Sequence, residues 1–404
     1  MTSGRGLRYP GAVSLLALVA AFLFACGSPP SDCPSAPTLV EADLAGGFCI
    51  SKDLTWLADP NEGAARMAEL GVAAVRSHIH WSLVQPTQES WDWSASDAAI
   101  AAAEANELEY IAMLGYGVAW ASSQTSDDNY YPPDDPADFA VFAGAAAERY
   151  AGRVQRYEIW NEPNAGYRFW KPDLAGDPVA YGELFLAAEA AIHAADPSAQ
   201  VLIGGTFFHE QGIPGTISFI EEMLAAHPDL LDRADGVGVH PYTQYPPRVP
   251  PEYDQEGEIA IWEMYSQVRA LTGTLPLVVT EMGWPSWNPV DEADQAAWLT
   301  RSMLLSQAAG VTDLCWYTLF DDEEPVTQED AFGLTRWDGT WKPSGEAFAA
   351  LAERAAGASA VGAVEGLPEG AWGVSYGDAG TAYWGEGEVC GETLGEIPVW
   401  VGAP

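Results

Sequence analysis

Basic side chains are scarce in this chain, whereas acidic ones are abundant. The 404 residues contain 17 Lys and Arg together against 58 Asp and Glu, which gives a formal charge of −41 at pH 7. A nucleic-acid-binding protein needs a basic face for the phosphate backbone, so the composition argues against that class. It also argues against docking on anionic lipids through a basic patch. Hydrophobic residues make up 48% of the chain, which is enough to bury a core and disfavours global disorder.

A transmembrane anchor is not expected from the apolar run at residues 13–24. About twelve apolar residues are too few to cross a hydrocarbon layer of about 30 Å. The run follows Arg5 and Arg8, a pattern typical of a secretory signal. It ends in Leu-Phe-Ala-Cys26, which resembles a bacterial lipobox. The resemblance implies cleavage before Cys26 and lipidation of this residue, and an ordinary signal with a chance cysteine is the alternative.

The N-terminal pattern therefore predicts a signal peptide at residues 1–25 and a flexible tether at 26–40. The protein is expected to be exported, and either lipid-anchored to the bacterial cell envelope through Cys26 or secreted. Membrane contact is expected only through that lipid.

Cysteine is rare as well, with five in the chain. Apart from Cys26, two pairings are considered in an oxidising exterior, Cys33 with Cys49 and Cys315 with Cys390. Cys315 and Cys390 also fit buried thiols. Spacing does not decide between these possibilities, and the absence of a C-x-x-C pair gives no sign of a redox or metal motif.

Eight apolar strands alternate with Ala-rich helical stretches between residues 46 and 355. Near-continuous apolar runs are typical of parallel strands covered by helices. The strands are predicted at 46–51, 72–76, 110–115, 154–160, 201–206, 236–240, 277–281 and 313–318. Helices are predicted at 95–106, 136–150, 178–195, 258–270 and 292–309.

Eight such units favour an α/β fold of the (β/α)8 TIM-barrel type, predicted at residues 41–357. An open doubly wound sheet is the alternative, and no G-x-G-x-x-G follows the first strand to support it. Residues 358–404 contain a hairpin pattern and are predicted as a small β extension packed on the barrel.

Two of the predicted strands end on a glutamate. The fourth runs into Trp-Asn-Glu-Pro-Asn at residues 160–164, which contains Asn161 and Glu162. The seventh runs into Thr-Glu-Met-Gly-Trp at 280–284, which contains Glu281 and Trp284. The C-terminal strand ends of a barrel build its active site, and two carboxylates converging there suit glycoside hydrolysis.

Both motifs together resemble the retaining glycoside hydrolases of clan A, and they look closest to families 39 and 5. The resemblance covers about residues 45–355 and implies a double displacement on β-linked O-glycosidic bonds. It implies that Glu162 is the acid/base and Glu281 the nucleophile, and that Glu162 stays protonated while Glu281 is charged. A non-catalytic carbohydrate-binding barrel and a transglycosylase are the alternatives.

Further substrate-site residues are predicted around this pair. Arg76 is expected to hold Glu281 ionised, Tyr242 to donate a hydrogen bond to Glu281, and Asn161 to contact the sugar 2-hydroxyl. His240 ends the sixth predicted strand and fits either a substrate contact or a core histidine. Three tryptophans are expected to stack on sugar faces. Trp316 is expected beneath the reacting sugar, and Trp284 and Trp120 are further candidates.

No metal and no cofactor is predicted. His78 and His80 form a His-x-His pair, but the sequence places no further ligand at a metal-binding spacing beside them. Substrate contact or loop hydrogen bonding is therefore preferred for this pair. The predicted partner is a carbohydrate substrate.

Overall fold

The computed structural model describes residues 33–402, apart from 36, 45, 125–127, 173–174, 209–214, 243–246, 254–258 and 323–324. The signal peptide and Cys26 lie outside the described residues. Within the described part of the chain, every helix is either too short or too polar to cross a bilayer.

Eight parallel strands form a closed barrel, which confirms the predicted fold class. The last barrel strand pairs with the first, so the sheet has no free edge. The barrel strands are β2 (Phe48–Ser51), β3 (Ala74–His80), β4 (Glu109–Gly115), β5 (Arg156–Ile159), β6 (Gln200–Phe207), β7 (Gly236–His240), β8 (Leu277–Met282) and β9 (Asp313–Tyr317).

Ten α-helices are assigned in the described residues, and they include the barrel's outer layer. They are α1 (Pro60–Ala68), α2 (Trp81–Val84), α3 (Ser94–Ala105), α4 (Pro136–Tyr150), α5 (Gly166–Phe169), α6 (Pro178–Ala195), α7 (Thr216–Ala226), α8 (Ile261–Thr272), α9 (Glu292–Ala308) and α10 (Pro343–Ala356).

Three of the barrel helices begin with an Asp-Pro pair. Asp59, Asp135 and Asp177 each accept a hydrogen bond from a backbone N–H of the first turn of α1, α4 and α6. The proline that follows has no N–H to leave unpaired and its φ already suits a helix. These dipeptides therefore fix where the helices start.

The C-terminal extension is larger than a hairpin, because it recruits a strand from before the barrel. A five-stranded antiparallel sheet has the order β1-β10-β11-β12-β15. Its strands are β1 (Val40–Glu41), β10 (Ala360–Ala363), β11 (Ala371–Ser375), β12 (Thr381–Gly385) and β15 (Val399–Val401), with β13 (Glu388–Val389) and β14 (Glu392–Thr393) forming a separate ribbon. Tyr376 donates a hydrogen bond to Gln307 of α9, which ties the sheet to the barrel.

Two disulfides join segments that are far apart in the sequence, and cysteine spacing did not reveal them. Cys33 bonds Cys390, and Cys49 bonds Cys315, so the pairings considered from the sequence are wrong. Cys49 and Cys315 are register partners where β2 meets β9. The Cys33 bond and the pairing of Val40 with Val361 also shorten the predicted tether, since its C-terminal part belongs to the folded sheet.

The barrel interior begins with an apolar layer. Six buried residues from six strands, the disulfide pair among them, form a cluster of their own: Cys49, Ala74, Ile111, Leu202, Val278 and Cys315. Inward positions recur every second residue along a strand, so Arg76, Thr280 and Tyr317 are the next inward residues toward the C-terminal ends. The candidate site is built on this second layer.

Candidate active site

A buried ion pair occupies the centre of this polar layer. Arg76 Nε donates to Glu158 Oε2 at 2.5 Å, and both side chains are almost completely buried. Burial opposes ionisation of Glu158, but the charge of Arg76 and its hydrogen bond bring the pKa of Glu158 below the ordinary value. Glu158 lies inside strand β5, and its function was not predicted.

Arg76 also reaches the two predicted motifs. Its Nη2 donates to Asn161 Oδ1 at 2.6 Å, and its Nη1 donates to Glu281 Oε2 at 3.4 Å. The predicted contact with Glu281 is therefore present, but Glu158 is the closer partner of the guanidinium. The positive charge of Arg76 is therefore shared between Glu158 and Glu281.

Glu281 lies at the end of β8, where the register with β9 shifts between Val279 and Met282. Tyr242 Oη donates to Glu281 Oε1 at 2.8 Å, as predicted. Burial raises the pKa of Glu281 above its ordinary value and the charge of Glu162 adds to this, whereas His240, Arg76 and the Tyr242 hydrogen bond act in the opposite direction. The tyrosine and arginine donors thus stabilise the ionised form against the burial cost.

His240 joins the two motifs and is completely buried. Its Nδ1 lies 2.7 Å from Glu162 Oε1, and its Nε2 lies 3.1 Å from Thr280 Oγ1. A ring nitrogen of His240 and one carboxylate oxygen from each of Glu162 and Glu281 all lie within 4.8 Å of one another. The structure therefore brings together the pair of glutamates that the sequence predicted.

The backbone that carries Glu162 is strained. Trp160 has φ 67° and Glu162 has φ 45°, a region that non-glycine residues rarely adopt. The N–H of Glu162 donates to Gly205 O at 2.9 Å, and its carbonyl accepts from Ala165 N at 2.9 Å. Such strain is typical of functional positions, because the surroundings must hold the residue in place.

A cavity of about 230 Å³ opens above this network. It is lined by both glutamates, by Arg76, Asn161 and Tyr242, and by residues from the neighbouring strand ends and loops, among them Lys52, Asp53, His78, Tyr116, Phe169, Tyr317 and Phe332. Polar groups at the base and aromatic rings on the walls are features of a site that binds a small polar ligand.

Trp316 and Trp284 do not line the cavity, so their predicted stacking on the sugar is wrong. Trp316 and Trp284 are completely buried, and their ring N–H groups donate to the carbonyls of Phe332 and Val249. Residue 316 points outward from β9 because its neighbours Cys315 and Tyr317 take the inward positions. Tyr317 is the aromatic residue of β9 that lines the cavity.

Trp120 is also absent from the cavity lining. Its ring N–H donates to Gln85 O at 2.9 Å, and its ring packs edge-on against Trp81. The third predicted stacking residue therefore has a packing role.

The two histidines of the His-x-His pair are joined by a carboxylate that the sequence did not reveal. Asp53 Oδ2 lies 2.6 Å from His80 Nε2 and 3.2 Å from His78 Nδ1, and the two imidazoles stack with centroids 4.7 Å apart. These three residues and the group of Glu162, His240 and Glu281 are the sets among the described residues that have the spacing to hold a cation. The 2.6 Å contact is a hydrogen-bond distance, and His78 and Asp53 line the cavity as one of its polar walls.

Comparison with known families identifies the chain. The profile of the family described as Cellulase (glycosyl hydrolase family 5) matches residues 45–319, which is more than half of the chain. The chain belongs to this family. It is therefore a glycoside hydrolase of clan A. No curated protein matches the sequence significantly.

Solved structures share the fold at low sequence identity. A family 39 glycoside hydrolase from Bacteroides cellulosilyticus is 22% identical with a TM-score of 0.70, over 86% of this chain and 72% of that chain. A monomeric β-xylosidase from Caulobacter crescentus is 21% identical with a TM-score of 0.62, over 88% and 76% of the two chains. An exo-β-1,4-mannosidase from an Opitutaceae bacterium is 17% identical with a TM-score of 0.55, over 81% and 62%.

Gly205 offers a test of how tightly this glycoside hydrolase site is packed. A Cβ at this position would lie 2.2 Å from His240 Nε2 and 2.5 Å from Thr280 Oγ1. We expect Gly205→Ala to lower the free energy of unfolding by about 1–3 kcal/mol, because overpacking forces the buried ring to move. Denaturant unfolding of the purified protein measures this.

Gly395→Ala is the matched control, because nothing lies within 4 Å of its added Cβ. Its unfolding free energy should stay within about 0.5 kcal/mol of the parent. If Gly205→Ala is as stable as Gly395→Ala, the packing described around His240 is incorrect.

Proposed function

We propose that this glycoside hydrolase cleaves β-linked O-glycosidic bonds with retention of anomeric configuration, using Glu162 and Glu281. The observation that carries the proposal is the approach of the two carboxylates, which have oxygens within 4.8 Å of one another. Retaining enzymes hold their carboxyl groups about 5–5.5 Å apart, whereas inverting enzymes leave about 6.5–9.5 Å for a water molecule.

In the first step of the proposed reaction, Glu281 attacks the anomeric carbon. The bond to the leaving oxygen breaks, and Glu162 transfers its proton to that oxygen. In the second step, Glu162 takes a proton from water, and the resulting hydroxide displaces Glu281 from the sugar. Two carboxylates this close do not both ionise easily, which favours a site that begins with one proton.

The hydrogen bonds around the pair support this division of roles. Glu281 accepts from the Tyr242 hydroxyl and from the Arg76 guanidinium, which has no acceptor atom. Both donors stabilise a carboxylate that must be negative before it attacks.

Asn161 is proposed to position the sugar. Because the Arg76 guanidinium only donates, the atom of Asn161 that faces it at 2.6 Å must be the carbonyl oxygen. The amide NH2 of Asn161 is then the group left to donate to a sugar hydroxyl in the cavity. Tyr317, Phe332 and Phe169 supply apolar ring surface on the cavity walls.

Replacement of the proposed nucleophile tests the reaction. Glu281→Ala should lower kcat/KM on an activated aryl β-glycoside about 1,000-fold or more, which corresponds to a barrier higher by about 4 kcal/mol. Azide added to this variant should restore turnover and give the α-glycosyl azide, since a small anion fits the space left by the carboxylate. Rates and NMR of the product measure both effects.

Glu353→Ala, on the exposed face of α10, is the control and should retain parental activity. Full activity of Glu281→Ala would refute the role of Glu281. Sugar binding by the parent protein without turnover of any glycoside would favour a carbohydrate-binding barrel, and transfer to a sugar acceptor in place of water would identify a transglycosylase.

We also propose that the protein is exported and held at the bacterial cell envelope by a lipid on Cys26. The support is the sequence pattern before this residue and the exterior-type chemistry of the folded part, which contains two disulfides. Cys26→Ser should move the protein from the membrane fraction to the soluble fraction of the expressing bacterium. Immunoblotting of the two fractions checks this, and an unchanged distribution would contradict the anchor.

A further inference from the structure

We propose that Glu158 and Thr280 fix the tautomer of His240, so that the catalytic proton is held on Glu162. Glu158, Thr280 and His240 then act as positioning residues for the acid/base group. The inference rests on the proposed function of Glu162. It comes from assigning the hydrogen atom in each contact of one chain, which runs from Glu158 through Thr280 and His240 to Glu162.

The chain starts at a carboxylate that only accepts. Glu158 Oε2 faces Arg76 Nε, and Glu158 Oε1 receives the N–H of Gly205 at 2.8 Å and the hydroxyl of Thr280 at 2.7 Å. Arg76 and the backbone N–H have no acceptor to offer a protonated carboxyl. A protonated Glu158 could donate only to Thr280 Oγ1, and Arg76 would then lose its counter-ion at 2.5 Å; the charge of Arg76 and its hydrogen bond hold the pKa of Glu158 below the ordinary value. Glu158 is therefore ionised, and the hydroxyl hydrogen of Thr280 points to it.

A hydroxyl has one hydrogen to donate, and that of Thr280 is used by Glu158. Toward His240, Thr280 Oγ1 can only accept. The 3.1 Å contact with His240 Nε2 therefore requires that this nitrogen carries the hydrogen. In a neutral imidazole the other nitrogen, Nδ1, is then an acceptor.

His240 Nδ1 lies 2.7 Å from Glu162 Oε1, so the hydrogen between them belongs to Glu162. In the first step the O–H of Glu162 must turn from His240 to the leaving oxygen and give up its hydrogen there, after which the anionic oxygen faces a nitrogen lone pair at hydrogen-bond distance. That arrangement is unfavourable, and it is relieved when Glu162 recovers a proton from water in the second step. The tautomer of His240 thus keeps Glu162 protonated before the first step and favours its reprotonation in the second.

The other charged groups around His240 act in opposite directions on the charge of its ring. Glu281 approaches it from β8 and favours a charged ring, as does Glu158 beyond Thr280, whereas Arg76 on β3 contacts both of these glutamates and disfavours one. His240 is completely buried, so an imidazolium would lose its hydration. Tyr242, two residues further on, directs its hydroxyl to Glu281 instead.

Thr280→Val removes the acceptor while keeping the shape of the side chain, which frees His240 to place its hydrogen on Nδ1 and donate to Glu162. An ionised Glu162 is then favoured, so the basic limb of the pH profile of kcat/KM should move to lower pH by about one unit. On a 4-methylumbelliferyl β-glycoside, which needs acid assistance, kcat/KM at neutral pH should fall about tenfold. On the 2,4-dinitrophenyl glycoside of the same sugar, whose leaving group needs little assistance, it should fall less than about threefold.

Thr280→Ser keeps the hydroxyl and is the matched control, with both rates within about twofold of the parent and an unmoved pH profile. Equal losses on the two leaving groups, or an unmoved basic limb in Thr280→Val, would show a structural role alone and overturn the proposal. Thermal unfolding of each variant separates a change in the tautomer from a loss of folding.

Nitrogen-15 NMR of the histidine rings tests the tautomer without any turnover. The chain has six histidines, and His240 is assigned by comparison with His240→Gln. The parent protein should show His240 hydrogenated on Nε2 and not on Nδ1 at neutral pH; an Nδ1–H tautomer or an imidazolium would overturn the proposal. If the tautomer is as expected and no glycoside is turned over, the proposed function fails while the hydrogen-bond chain stands.

Discussion

The site depends on one buried ion pair. Arg76 and Glu158 meet at 2.5 Å inside the barrel, directly above its apolar layer. Taking two charges out of water costs several kcal/mol for each, and their attraction offsets this only when the remaining donors and acceptors are satisfied. Here each partner has further contacts, to Asn161 and Glu281 on the arginine side and to Thr280 and Gly205 on the glutamate side.

Those contacts link the ion pair to both proposed catalytic groups. Through Arg76 it reaches Glu281, and through Thr280 and His240 it reaches Glu162. Loss of one partner of a buried pair typically costs about 3–5 kcal/mol, because the other charge stays behind uncompensated. The geometry of Glu162 and Glu281 therefore rests on a residue, Glu158, that does not line the cavity.

Sequence patterns predicted the features that follow from short stretches of the sequence. Apolar runs placed eight strands, and the two glutamates were expected where strands four and seven end, since strand ends of a parallel barrel meet at one face. Arg76, Asn161 and Tyr242 were likewise predicted beside them, and all three line the cavity.

The errors concern strand register and contacts between distant segments. Whether Trp316 or Tyr317 points into the barrel depends on which alternate residues of β9 face inward. The residue types do not reveal this. The Cys49–Cys315 bond exists because the barrel closes between its first and last strands. Asp53 meets His78 and His80 because it follows β2, the neighbour of β3. Glu158 was not predicted because it lies within β5, whereas the site residues were expected at the strand ends.

The central claim is that Glu281 forms a covalent bond to the sugar while Glu162 handles the proton. The most direct measurement is to incubate the protein with a 2-deoxy-2-fluoro glycosyl fluoride of the preferred sugar and to map the label by peptide mass spectrometry. The fluorine at C2 slows both steps, and the reactive leaving group allows the first step to proceed without acid. The account predicts one sugar per chain, attached to Glu281. A label on any other residue, or steady turnover with no covalent species, would contradict it.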